Sequence, residues 1–173
     1  MAMDALVKPF LRLPLFQGLK PLQLTEIVRR AHRIVYRAGD VIIEEDKVGD
    51  AAIVIISGEA VRLDGTSKTA PGEPVPEGSI VGELAMLVET VHSATVVARG
   101  PVRALRISRE DMHEQMADDP RLAEHMMDRI ALRLNRLANE LRAIDQALAD
   151  ISHFEPHPPG KARPAAESAA ALH

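Results

Sequence analysis

The chain has 173 residues, enough for one domain with an appendage, and carries 21 Lys plus Arg against 25 Asp plus Glu, a formal charge of −4. That balance gives no general attraction to nucleic acid or anionic lipid. There is no Cys or Trp, with three Phe and one Tyr, which excludes disulfides, thiol catalysis, cysteine-ligated metal and stacking platforms for single-stranded nucleic acid.

The core must then be built from Leu, Ile, Val, Ala and Met. No apolar run approaches the ~18 residues of a membrane span. The first dozen residues include Asp4, Lys8 and Pro9 and lack the apolar run and cleavage site of a signal peptide, so the expected location is cytoplasmic.

Residues 1–12 suit one or two helical turns, broken at Pro9. A loop punctuated by Pro14 and Gly18 follows. From Pro21 the apolar spacing becomes helical, with Leu24, Ile27, Val28 and Ala31 on one face, which predicts a helix over 21–32. The period then changes. Short β-branched runs at 34–36, 41–43, 52–56, 60–63, 80–81, 94–98 and 102–107, with a weaker one at 74–76, are separated by turn residues such as Ala38-Gly39-Asp40 and Ser57-Gly58. Eight short strands at this spacing predict an antiparallel sandwich, barrel or jelly roll between residues 33 and 107.

Ser108 is a fitting N-cap for a second helix, and Pro120 opens a third. The third helix places Ile130, Leu134, Leu137, Leu141, Ile144, Leu148 and Ile151 at alternating steps of four and three, an a/d heptad seam. One small barrel cannot cover a helix of roughly 45 Å, so part of the seam needs a partner, and a homodimer through this helix is expected. The last 22 residues, from Ser152, are rich in Pro and Ala and read as a disordered tail. The expected division is 1–119 for the first helices, the β-roll and a short helix, 120–151 for the heptad helix and 152–173 for the tail.

The stretch that carries chemistry runs from Gly78 to Ala98. A β pair ends at Val81, Gly82 follows, and a short helical piece begins at Glu83. A strand, a glycine and a helix start bring several backbone N–H groups together, which is an anion cradle. Glu83 at its edge suits sugar hydroxyls, the plain alternative being a carboxylate that serves the helix dipole. Anion plus sugar implies a nucleotide.

Gly82-Glu83-Leu84-Ala85-Met86-Leu87 and Ser93-Ala94-Thr95-Val96 resemble the phosphate-binding cassette of cyclic nucleotide-binding domains. Leu13-Pro14-Leu15-Phe16, Gly39-Asp40-Val41-Ile42, residues 49–58 and Ile107-Ser108-Arg109-Glu110-Asp111 are similar to that family's other landmarks, in order and at matching spacing. The heptad helix resembles the dimer helix of catabolite-activator-like regulators.

The resemblance implies an eight-stranded jelly roll with flanking helices, mainly β, followed by a long C-terminal dimerisation helix. It implies a non-enzymatic sensor that takes cAMP or cGMP, holds no metal or cofactor, and signals to a downstream protein through its last helix. The ligand residues it implies are Val81, Gly82, Glu83, Leu84, Ala85, His92, Ser93 and Ala94. Arg129, Arg133 and Arg136 form a basic edge on the helix, either solvated flanks of a coiled coil or a source of one cation, Arg133, reaching over to the site.

Two departures shape the expectation. The family's phosphate-pairing arginine stands here as His92, an imidazole in place of a permanently charged fork of donors. Where bacterial relatives read adenine with hydroxyl side chains, this helix has Leu137, Ala138 and Asn139. Weak nucleotide binding is expected, the alternative being a degenerate fold that serves only dimerisation or protein interaction. No helix-turn-helix fits after Ile151, so DNA binding by this chain alone is not expected.

Overall fold

The computed structural model describes residues 2–63 and 72–152. The chain divides into two compact units, Met1–Leu132 and Arg133–His173. The tail expected to be disordered lies outside the described residues, apart from Ser152, which ends the last helix.

In the first unit, helix α1 (Ala2–Arg12) runs unbroken through Pro9. The proline removes one backbone hydrogen bond, but Phe10 after it is fully buried with its ring 5.2 Å from that of Phe16, and Leu6 and Val7 before it pack against the same core. A 3-10 turn (Pro14–Phe16) leads to α2 (Pro21–Arg30). That helix stops two residues short of the predicted end because His32 already belongs to a strand.

The strands are β1 (His32–Tyr36), β2 (Val41–Ile43), β3 (Val48–Gly49), β4 (Ala51–Ser57), β5 (Ala60–Leu63), β6 (Glu73–Val75), β7 (Ile80–Val81), β8 (Thr90–Val91), β9 (Thr95–Ala98) and β10 (Val102–Ser108). Eight of them form two four-stranded sheets, ordered β1-β10-β4-β7 and β2-β9-β5-β6. Every pairing is antiparallel. This is the predicted jelly roll. A further two-rung ladder, β3 with β8, pairs Val48 with Val91 and Gly49 with Thr90.

Strand β4 shows why the fold closes. Successive side chains point to opposite faces of a strand. Ala52 and Val54 enter a core shared with the helices, while Ile53 and Ile55 enter the interior of the roll with Val81, Val96 and Val102. Apolar residues on both faces make β4 the wall between two cores. Helix α3 (Arg109–Asp118) is capped by Ser108, whose Oγ accepts the Asp111 N–H at 3.1 Å. Helix α4 (Pro120–Ser152) begins in the helical core, where Leu122 and Met126 are buried.

Polar bonds fasten the start of α4 to the N-terminal loop. Arg129 Nη2 donates to the Gln17 carbonyl at 2.6 Å, and His125 Nε2 lies 3.0 Å from the Leu15 carbonyl. Past Leu132, in the second unit, the apolar residues of α4 change character. Leu134, Leu137, Leu141, Ile144 and Leu148 are all exposed.

Candidate functional site

Strand β7 delivers the chain to the site. Val81 pairs with Ile53 and Ile80 with Val54, and Gly78 N–H donates to Ile55 O at 2.8 Å. Gly82 then takes φ +66° and ψ +29°, a left-handed conformation that favours glycine. That turn starts the 3-10 helix Glu83–Met86, whose Ala85 N–H returns to Gly82 O at 2.9 Å. The amides that open such a turn have no acceptor inside the turn itself, which is the local arrangement the spacing predicts. Ala85, Met86 and Leu87 are buried, and the last two join the helical core. The outer side of the turn is fixed by what its inner side buries.

His92 arrives from the other end of the connection. Its N–H donates to Lys47 O at 2.9 Å, and its carbonyl accepts from Asp46 N–H at 3.0 Å. Asp46 itself is left-handed, φ +62°. Three residues on, Thr95 Oγ1 accepts the Glu45 N–H at 3.0 Å. Thr95 is thus a structural staple between the β2–β3 loop and β9.

Held at its backbone, His92 lays its ring over two glycines. A Cβ on Gly82 would lie 3.0 Å from His92 Cε1, and one on Gly49 would lie 2.6 Å from Cε1, 2.7 Å from Nε2 and 2.6 Å from the Ala85 Cβ. Real Cβ atoms do not approach so closely. Gly49 has no positive φ, so its glycine is needed for clearance rather than for conformation.

The fold brings Val81, Gly82, Glu83, Leu84, Ala85 and His92 together in one small region. Ala94 is buried at the start of β9, and Ser93 beside it is exposed. Glu83 and Leu84 are half-buried at the lip of the turn. Arg133 belongs to the second unit, where it is exposed on α4.

Three residues escaped the sequence reading. Gly49 looks like turn punctuation, and its clearance role appears only once Ala85 and His92 are beside it. His113 Nε2 lies 2.7 Å from the Leu87 carbonyl, tying α3 to the end of the turn. Arg109, one turn earlier on α3, has an Nη1 that is buried and has no hydrogen-bond partner among the described residues. An arginine at the start of a polar helix carries no sequence signature that would announce this.

In shape, Gly49 and Gly82 leave clearance beside the imidazole that a Cβ on either would close. In charge, the fit at position 92 is weaker than an arginine would give.

Comparison with known proteins agrees with this geometry. The cyclic nucleotide-binding domain profile matches residues 33–119. A cAMP-dependent protein kinase regulatory subunit from Aspergillus fumigatus is 36% identical over 97 residues, 56% of this chain and 23% of that protein. The chain thus spans about a quarter of the kinase regulatory subunits it matches. A CRP-like cAMP-activated global transcriptional regulator from Mycobacterium tuberculosis is 24% identical over 141 residues, covering 75% of this chain and 59% of the relative.

Among solved structures, the N-terminal domain of a transcriptional regulator from Streptomyces coelicolor superposes with a TM-score of 0.69 at 22% identity, covering 80% of this chain and 95% of that one. A cyclic nucleotide-binding-like protein from Brucella abortus gives a TM-score of 0.60 at 27% identity, covering 66% of this chain and 99% of that one. The β-roll, the Gly82 turn and the profile match concern the same residues: the chain belongs to the cyclic nucleotide-binding domain family.

Proposed function

We propose that this chain is a ligand-sensing regulatory module that binds cAMP or cGMP weakly at the Gly82 turn and signals through α4 as a homodimer. The observation that carries the reading is the convergence of the left-handed Gly82, the 3-10 turn it opens and the His92 ring, with Glu83 at the lip for ribose hydroxyls. Val81, Leu84, Ala85, Ser93 and Ala94 complete the lining. The family match is to a binding domain, so the module is read as a binder and not as an enzyme. Ligand closing on the turn would favour one placement of the helices that follow it, a population shift. The exposed seam from Leu134 to Leu148 supports the homodimer, since its 3-4 spacing is that of a paired helix.

One observation favours a second reading. Position 92 lacks the permanent charge that pairs a cyclic phosphate in the resembled family, so the fold could serve only as a dimerisation or protein-interaction module.

Calorimetric titration with cAMP and cGMP separates the two readings. Under the first, wild type binds weakly at pH 7.5, and His92→Arg tightens binding by about tenfold or more if one charged hydrogen bond is gained. If neither wild type nor His92→Arg binds either nucleotide, the interaction-module reading stands.

A further inference from the structure

His113 and His125 have polar anchors for their rings: His113 Nε2 lies 2.7 Å from the Leu87 carbonyl, and His125 Nε2 lies 3.0 Å from the Leu15 carbonyl. His92 is held differently. Its main chain is clamped by the bonds to Lys47 and Asp46, but neither of its ring nitrogens has a hydrogen-bond partner among the described residues. The imidazole keeps its place by packing.

That packing is close. A Cβ on Gly82 would lie 3.0 Å from His92 Cε1 and 3.6 Å from Nδ1, and a Cβ on Gly49 would lie 2.6 Å from Cε1 and 2.7 Å from Nε2. The ring therefore presents its Nδ1–Cε1–Nε2 edge to both glycines and fills the clearance that they leave. A ligand group approaching Gly82 from that side meets Cε1 first. The Ala85 methyl, next to the same point, is fully buried, and the ring itself is half-buried.

We infer that the His92 imidazole is a displaceable plug: ring and ligand compete for the clearance beside Gly49 and Gly82, and the site opens when the side chain turns out on its clamped backbone. The inference rests on the proposed nucleotide-binding function and adds how that site is regulated. Packing against Gly49, Gly82 and Ala85 favours the ring in place. Turning it out breaks no hydrogen bond to the described residues, which keeps the opening cost small. A ring that leaves in about one molecule in ten lowers the apparent affinity about tenfold. Weak binding then has two sources at one position, a missing permanent charge and a side chain in the way.

Calorimetry with cAMP on wild type, His92→Ala and His92→Ser separates a plug from a ligand contact. His92→Arg gains a charge as it loses the imidazole, whereas these two variants only shorten the side chain. Both should bind cAMP more tightly than wild type, by about threefold to tenfold. A histidine that contacts the phosphate predicts the opposite sign. NMR of wild type gives a second readout that needs no substitution. Nuclear Overhauser effects should join His92 Hε1 to the Hα protons of Gly49 and Gly82 before cAMP is added and vanish at saturating cAMP.

Equal or weaker cAMP binding by His92→Ala and His92→Ser, or Overhauser effects that persist in the complex, would overturn the inference and leave the nucleotide reading intact. Binding of cAMP by the two variants where wild type shows none would support it. If none of the three proteins binds cAMP, both the inference and the nucleotide reading fail. If the variants do not fold, the Overhauser effects of wild type decide.

Discussion

Helix α4 contains two stretches written in nearly the same alphabet and put to opposite uses. In the first, Leu122 and Met126 are 0% and 1% exposed, packed with Phe16, Leu24 and Met112. In the second, Leu141 and Leu148 are 63% and 59% exposed on the same continuous helix. Apolar spacing alone does not say whether a helix face is covered by its own chain or by another. What differs is the company. The first stretch carries His125 and Arg129, whose polar ends reach loop carbonyls of the same unit. Along the second, the hydrogen bond between Arg142 Nη1 and Asn139 Oδ1 at 3.1 Å is local to the helix.

The largest expected effect tests the first stretch. Leu122→Ala removes a fully buried side chain from a core that includes α2 and β4. Such truncations cost about 2–5 kcal/mol, and the loss should show as a lower denaturation midpoint with the same m-value. Leu148→Ala, the same chemistry on the exposed stretch, should leave the unfolding of the first unit unchanged. Equal losses from the two substitutions would break the contrast between the stretches.

Next comes assembly. Leu141→Asp places a charge in the seam without touching the first core. Sedimentation should show wild type as a dimer at tens of micromolar and the variant as a monomer whose first unit melts at an unchanged temperature. Wild type that is already monomeric at that concentration would show that the exposed seam serves something other than a second copy.

The contrast also marks how far the sequence was legible. The main strands were readable because most are β-branched runs bounded by turn residues, the weak exception being Glu73-Pro74-Val75. The heptad seam was readable because its spacing is regular. The β3–β8 ladder was not, since two rungs with a glycine in one of them carry no periodic pattern. The unbroken α1 escaped because local rules break a helix at proline, and the burial of Phe10 that overrides them is tertiary.

At the site, Gly82 was legible because a strand, a glycine and a helix start are consecutive in the chain. Gly49, Arg109 and His113 were not. Each depends on residues distant in the chain, and the clearance, bond or burial that matters exists only after folding. The placement of His92 over the glycines belongs to both classes. Its position in the motif was readable, while its contact with Gly49 was not.

The smallest expected effect lies at the border between α3 and α4. Asp119 precedes Pro120, and its Oδ1 accepts from the Arg121 and Leu122 amides at 3.1 and 3.4 Å. Its Oδ2 accepts from Gln23 Nε2 at 2.7 Å, so one carboxylate both caps α4 and ties it to α2. The Gln23 bond, more than any other cause, holds the Asp119 carboxyl below the usual carboxylate range, with the two backbone bonds and the Arg121 charge assisting and desolvation opposing. A carboxyl lowered on folding stabilises the fold fully above its unfolded value, ~3.9 for aspartate. The contribution is lost as the pH falls through the lower, folded value. Asp119→Asn keeps an acceptor for the cap but cannot titrate. Melting temperatures of wild type and Asp119→Asn should therefore differ by a constant, small amount from neutral pH to about pH 5 and converge below roughly pH 4. Gln23→Ala should weaken that pH dependence, because it removes its main cause. A wild-type advantage that persists unchanged to the lowest pH would mean that the carboxylate's charge plays no part in joining α4 to α2, and that the buried Leu122 and Met126 with the His125 and Arg129 bonds fix the first stretch of the helix.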